Sequence, residues 1–258
     1  ESKKIFVKNH NYNIDEVFVQ NDLANTLLRI AKYGYREFYE GITADHIVAC
    51  MTRTNGLISY NDLRNYKSIE REAISFNYKG YRVHSMPPPS SGGITLANIL
   101  NQFEHVNIEK VDPKDSKFIH LLVEIEKRAY ADRAEFLGDT DFIDVPINNL
   151  ISKKYAYDRF LTISPKLATP SSELNHGSIN IQEESEETTH FSIVDKFGNA
   201  VSLTTTINSW FGNGITVDNA GFLLNNEMDD FSIKPGFPNL YGLVGNKANS
   251  ISPSKRML

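Results

Sequence analysis

Thr188 and Thr189 stand at a seam in the chain. Residues 164–187, SPKLATPSSELNHGSINIQEESEE, are poor in large apolar side chains and rich in Ser, Glu, Pro and Asn, the composition of a solvated loop. Immediately after them THFSIVD alternates in the manner of a β-strand. If the backbone were cut just before Thr188, that residue would carry both a hydroxyl and a free α-amine. An α-amine has a reference pKa of about 7.7–8.0, so near neutral pH it can take the proton from its own Oγ. A threonine activated in this way is a nucleophile that needs no histidine. The other reading of Thr-Thr is a β-branched start to a strand. These residues alone leave both open.

Two further groupings bear on the same chemistry. NNEMDDF, Asn225 to Phe231, sets three carboxylates within four residues directly after an apolar run. Glu227 and Asp230 are suited to hold an ammonium group through charge-assisted hydrogen bonds. The spacing fits no EF-hand calcium loop, and a solvated turn is the competing reading. TTTINSWFG places Thr204, Thr206 and Asn208 at alternate positions, so a continuous strand would put two hydroxyls and an amide on one face. A Thr-rich edge strand accounts for the same pattern.

Other motifs carry less. PPPSSGG, Pro87 to Gly93, joins a strand to a helix but lacks the lysine and spacing of a phosphate-binding loop, and reads as a tight turn. Ser252 to Lys255 spells S-x-x-K without the partner motifs of the enzymes that use it. The seven histidines show no metal-binding spacing, so no metal and no cofactor is expected. The single cysteine, Cys50, lies in the apolar run HIVACM and reads as a buried thiol; one cysteine excludes an internal disulfide framework.

The elements that must position these groups are legible from periodicity and punctuation. NDLANTLLRIAKYG predicts a helix capped by Asn21 or Asp22, with Leu23, Leu27, Ile30 and Ala31 inward and Gly34 as its stop. TADHIVACMTRT predicts a second helix after Gly41, and ISYNDLRNY a turn into a short one. EAISFNYKGYRVHSM reads as a hairpin about Lys79-Gly80. ITLANILNQF and SKFIHLLVEIEKRAYADRAEFLG read as helices, the second with Phe118, Leu122, Ile125, Ala129 and Phe136 on its inner face and Gly138 at its end. THFSIVD and AVSLTTTI form two strands about the turn Lys196–Asn199, GFLLNN a third, and the Gly/Pro/Asn-rich remainder a long ordered loop.

With 258 residues, 40% hydrophobic and 23% charged, the chain can bury a full core as one large domain or two small ones. A formal net charge of −5 argues against a nucleic-acid partner, and no apolar run reaches the roughly 18 residues of a membrane helix. The chain starts on Glu, ends on KRML and shows no signal peptide, which reads as an excised piece.

SMPPPSSGG, EKRAYADRAEFLGD, TTHFSIVDKFGNAVSLTTTIN and GFLLNNEMDDFSIKPGFPNLYGLVGNKAN together, in this order, resemble the γ-glutamyltranspeptidase (glutathione hydrolase) family over essentially the whole chain. The resemblance implies an α+β fold, the αββα four-layer sandwich of N-terminal nucleophile hydrolases, present here in part. It implies a precursor that cuts itself between Glu187 and Thr188. Residues 1–187 would then be the end of a large subunit, including the acidic loop 164–187, and 188–258 the start of a small catalytic subunit; the two form a heterodimer within one structural domain. Thr188 would attack γ-glutamyl amides such as glutathione and pass the γ-glutamyl group to water or to an amino-acid or peptide amine.

By motif position, Thr206 resembles the hydroxyl that assists the nucleophile. Asn208, Glu227 and Asp230 resemble the set that grips the substrate's α-amino group, with Glu227 where some members have Gln. Tyr241 resembles the tip of a lid that only some members possess. The family's carboxylate-binding arginine, its serine pair just after a KRML-like sequence and its oxyanion-hole glycine pair are not among these 258 residues. An oxyanion donor is worth about 3–4 kcal/mol, so the isolated chain is expected to be inactive. A poly-γ-glutamate depolymerase or a cephalosporin acylase shares these motifs, and a non-catalytic binding unit is the reading from another class. A periplasmic or secreted location is implied by bacterial relatives.

Overall fold

A computed structural model describes residues 1–107, 112–174 and 189–258; Glu187, Thr188 and the bond expected to be cut between them lie outside the described residues. The chain divides into two compact units, Glu1–Ile69 with Glu186–Glu227, and Glu70–Ser185 with Met228–Leu258.

In the first unit, helices α1 (Ser2–Phe6), α2 (Asn21–Tyr33), α3 (Tyr35–Glu40), α4 (Ile42–Thr54) and α5 (Tyr60–Asn65) precede the hairpin of β3 (Thr189–Val194) and β4 (Ala200–Thr205). Gly34 ends α2 as expected, at φ 75°. Ser59 caps α5 by accepting the Asp62 amide, while Asp62 accepts the Ser59 amide in return. The apolar core joins Ala44, Ile47, Cys50, Met51 and Leu63 to Val217 and Ala220, with Phe38, Tyr39 and Phe222 packed against it. Cys50 is buried, as its setting implied.

Helix α2 departs from its expected pattern. Its N-cap is Gln20, with no side-chain capping bond, and Leu27 is 57% exposed. The buried residue is Thr26, whose Oγ1 donates to the Ala220 carbonyl at 2.9 Å. The helix docks on backbone here, and backbone carbonyls select a hydroxyl over a methyl. Arg29 extends this contact by donating to Thr26 Oγ1 (2.9 Å) and pairing with buried Glu37 (2.6 Å).

β3 and β4 pair antiparallel from Thr189↔Thr205 to Val194↔Ala200. Asp195 closes the turn by accepting the amides of Phe197 (2.8 Å) and Asn199 (2.9 Å). GFLLNN, expected as a third strand, contributes one isolated bridge, Thr216↔Leu223. The reason lies at Gly212, where a Cβ would fall 2.0 Å from the Leu224 carbonyl oxygen. The backbone from Phe211 to Leu224 folds tightly on itself, with Asn213 N donating to Leu224 O at 3.1 Å, and leaves no room for a regular ladder.

The second unit holds β1 (Ile74–Tyr78), β2 (Tyr81–Ser85), α6 (Gly92–Phe103), α7 (Ser116–Phe136), α8 (Ile147–Leu150) and α9 (Lys153–Phe160). Lys79 and Gly80 both have positive φ, the two-residue turn that matches the twist of paired strands. PPPSSGG is the tight turn anticipated: a Cβ on Gly93 would lie 2.1 Å from the Met86 carbonyl oxygen. Ile74, Phe76, Ile94, Ala97, Leu137, Val145 and Leu150 form the apolar core.

On α7, Ile125 and Ala129 are buried as expected, but so are Glu124, Arg128 and Asp132. Arg128 Nη1 donates to Glu124 Oε2 (2.7 Å), and Arg128 also bonds Thr162 Oγ1 (2.6 Å) and the Thr162 carbonyl (2.9 Å). Glu124 accepts the Thr169 amide (3.0 Å) and hydroxyl (2.6 Å), and Lys127 donates to the Thr169 carbonyl. The start of the polar segment 164–174 is thus held by charge rather than by apolar contacts. Residues 231–250 form the expected ordered loop, through Ser232 N to Asn249 O (2.9 Å), Gly236 N to Gly245 O (3.0 Å) and the bridge Pro238↔Val244. Among the described residues no helix is long and apolar enough to cross a membrane.

Candidate active site

The hairpin that begins at Thr189 has two unlike faces. Phe191, Ile193, Val201 and Leu203 share one; His190, Ser192, Ser202 and Thr204 share the other. On the polar face His190 Nδ1 bonds Thr204 Oγ1 at 2.8 Å, and its Nε2 lies 3.3 Å from Ser192 Oγ and 3.2 Å from Ser202 Oγ. The last described pair on this hairpin is Thr189↔Thr205, so Thr206 is the first residue past β4.

Past Thr205 the alternation that would align Thr206 with Asn208 breaks. Asn208 sits in the left-handed region at φ 70°, a conformation asparagine tolerates better than most residues. Its amide donates to Thr206 Oγ1 at 2.9 Å, which folds the chain back and orients that hydroxyl. Asn226 holds the turn from outside. Its amide donates to Ile207 O (3.3 Å), its Oδ1 accepts the Ser209 amide (2.9 Å), and its Nδ2 donates to Ser209 Oγ (3.0 Å). Asn225 Oδ1 accepts the amide of Glu227 at 3.0 Å. Thr206, Asn208 and Glu227 are therefore gathered in the first unit through an asparagine pair.

Glu227–Asp230 is one 3₁₀ turn, in which residues i and i+3 eclipse. Glu227 and Asp230 hold the first and last positions of that turn. Asp230 belongs to the second unit, where its carbonyl accepts Asn249 Nδ2 at 2.7 Å and Asn249 is 3% exposed. Tyr241 also lies in the second unit, on a turn whose Asn239 Oδ1 accepts the amides of Tyr241 (3.0 Å) and Leu243 (2.9 Å). Thr188 and Glu187 are outside the described residues.

Sequence reading singled out NNEMDDF but gave no role to Asn225, Asn226 or Asp229. The available signal was the asparagine pair itself: Asx side chains cap nearby amides and set turns. Among the described residues no group of three or more His, Cys, Asp or Glu is arranged to hold a metal ion. A cavity of about 330 Å³ between α2, α3 and the start of α4 contains none of the candidate residues.

A profile of the family described as gamma-glutamyltranspeptidase matches residues 1–258. The chain is 49% identical over 243 residues to a glutathione hydrolase proenzyme of Escherichia coli (strain K12), an alignment covering 94% of this chain and 42% of the relative. Among solved structures it is similar to a Helicobacter pylori γ-glutamyltranspeptidase, with a TM-score of 0.64 and 40% identity over 71% of this chain and 53% of that one. It is also similar to a cephalosporin acylase from Bacillus halodurans, with a TM-score of 0.77 and 26% identity over 99% of this chain and 43% of that one. The fold class is accordingly α+β, that of the N-terminal nucleophile hydrolases. The chain spans less than half the length of the curated relative.

Proposed function

The chain belongs to the gamma-glutamyltranspeptidase family, and from that premise we propose that the protein is a γ-glutamyltransferase and glutathione hydrolase that cuts its own backbone before Thr188. In the cut, Thr188 Oγ attacks the Glu187 carbonyl carbon and the acyl group moves from nitrogen to oxygen. Water then hydrolyses the ester, leaving Glu187 as a carboxylate and Thr188 with a free amine. In turnover that amine takes the Oγ proton, and Oγ attacks the γ-glutamyl carbonyl. The departing amine is protonated, and the acyl-enzyme ester is passed to water or to an amino-acid or peptide amine.

The observation that carries this reading is the register of the hairpin. It ends at Thr189↔Thr205, which leaves Thr206 directly past β4 with its hydroxyl accepting the Asn208 amide at 2.9 Å. Thr206, oriented by the Asn208 amide, is the partner hydroxyl of the nucleophile. Asn208, Glu227 and Asp230 take the substrate's α-amino group, and Tyr241 covers the γ-glutamyl moiety. On the same reading residues 1–187 end a large subunit, 188–258 begin a small one, and the product is a heterodimer acting on small molecules outside the cytoplasm, in the periplasm or secreted. The likeness to the cephalosporin acylase covers more of the chain, but at 26% identity it speaks for the fold more than for the substrate.

Intact mass of the full-length protein tests the proposal directly. Wild type is expected as two pieces split before Thr188, and Thr188→Ala as one, with glutathione turnover only in the first. A Thr188→Ala protein that still splits there, or still hydrolyses glutathione at the wild-type rate, would refute it. Preference for a glutaryl amide or for poly-γ-glutamate over glutathione would move the assignment within the fold.

A further inference from the structure

The acidic turn carries a third carboxylate that the reading above does not use. That carboxylate is Asp229, the third residue of the turn. Its Oδ2 accepts the backbone amide of Leu240 at 2.7 Å. Leu240 is the residue before Tyr241, on a turn shaped by its own bonds. Asn239 N donates to Leu243 O (2.9 Å), Gly242 N to Asn239 O (3.0 Å) at φ 77° for Gly242, and Asn239 Oδ1 caps two amides. Below the tip, the Pro238↔Val244 bridge and Lys234, stacked 3.6 Å over the Phe237 ring, stiffen the stem. The stem bonds fix the shape of this loop. The Asp229 bond fixes where its tip stands relative to the acidic turn.

We propose that Asp229 is a positioning residue, a latch that ties the Tyr241 tip to the acidic turn and so holds the cover over bound γ-glutamyl substrate. The proposal rests on the assignment of Glu227 and Asp230 to the substrate ammonium and of Tyr241 to its cover. It makes one run of sequence serve two purposes: two carboxylates face the ligand, and the third holds the cover that retains it. Loss of the latch weakens retention of the donor without touching the nucleophile, so the effect belongs in KM and not in kcat.

The test uses the full-length protein as Asp229→Ala and Asp229→Asn, because the carboxamide oxygen of Asn still accepts a hydrogen bond while the charge is gone. Limited chymotrypsin digestion without substrate, mapped by mass spectrometry, should cut Asp229→Ala at Leu240 or Tyr241 at least fivefold faster than wild type. Asp229→Asn should stay within about twofold. With γ-glutamyl-p-nitroanilide, Asp229→Ala should raise KM five- to twentyfold with kcat within threefold, and Asp229→Asn should restore KM to within threefold. Equal digestion of wild type and Asp229→Ala overturns the latch. So does a KM as damaged by Asn as by Ala, since that pattern marks a carboxylate whose charge binds substrate. A wild type inactive on γ-glutamyl donors, with a tip that still opens in Asp229→Ala, removes the substrate premise and leaves the latch standing.

Discussion

At Thr206 a single oxygen receives the amide of Asn208, and this contact turns a strand end into a fixed hydroxyl. Thr206→Val keeps the shape and removes the acceptor, leaving the Asn208 amide without that partner. An unmet polar group costs about 1–3 kcal/mol when shielded from water, and the same change removes the hydroxyl proposed to sit beside the nucleophile. The expected outcome is a ten- to hundredfold loss in kcat/KM for glutathione and slower maturation of the precursor, with Thr206→Ser keeping most of both. Turnover and precursor half-life measure this directly, and a fully active Thr206→Val protein would remove Thr206 from the site. The residues that do the proposed chemistry were legible because their types are rare at such spacing: an acidic trio after an apolar run, alternating threonines, a threonine pair after a polar loop. The residues that hold them, Asn225, Asn226 and Asp229, were not. Their work is done by side-chain bonds to backbone amides as near as two residues and as far as seventeen, and such bonds leave no periodic trace.

Among the elements, α7 was read correctly in extent and incompletely in character. Its apolar stripe found Ile125 and Ala129, but Glu124, Arg128 and Asp132 share the buried side, and amphipathic patterning assigns charge to solvent by construction. Burial pushes the Glu124 carboxyl up, yet donors from the Thr169 hydroxyl, Arg128 and Lys127 outweigh it and bring its pKa down to about 2, from an ordinary value of 4.5. A carboxylate whose folded pKa is depressed stabilises the fold above its unfolded pKa and loses that contribution as pH falls through the folded one. The window therefore runs from about pH 5 down to about 2, and the shift corresponds to roughly 3 kcal/mol. Urea unfolding across this range should show the gap between wild type and Glu124→Gln widest near pH 6 to 7 and narrowing by about that amount toward pH 2. Parallel pH profiles for the two proteins would show that the Glu124 cluster does not stabilise as its geometry implies. The α2 helix teaches the converse. Its leucines promised a core, but it docks through Thr26 on a carbonyl, because the partner surface is backbone and not a row of methyl groups.

For the molecule as a whole, family and fold class were legible in the order of four long motifs, whereas its division into two compact units was not, since each unit is assembled from segments far apart in sequence. The two hairpins show what burial does to otherwise similar pieces of sheet. In β1–β2, Ile74 and Phe76 are 6% and 8% exposed, packed into the core of their unit. In β3–β4 the apolar face is open, with Phe191 at 43%, Ile193 at 55%, Val201 at 53% and Leu203 at 41%. A two-stranded hairpin without a packed face is marginal in water, and burying side chains of this size contributes about 1.5–3 kcal/mol each. The 258-residue chain on its own should therefore exchange the β3–β4 amides at least a hundredfold faster than the β1–β2 amides. It should also fail to turn over glutathione, because the strand that begins beside the proposed nucleophile is not held still. In a chain extended to the length of its curated relative, of which the alignment covers 42%, the same amides should slow toward those of β1–β2 as activity appears. Hydrogen exchange read by mass spectrometry on both proteins decides the matter. Equal protection of the two hairpins in the short chain, or robust turnover by it, would show that this hairpin needs no further cover to work.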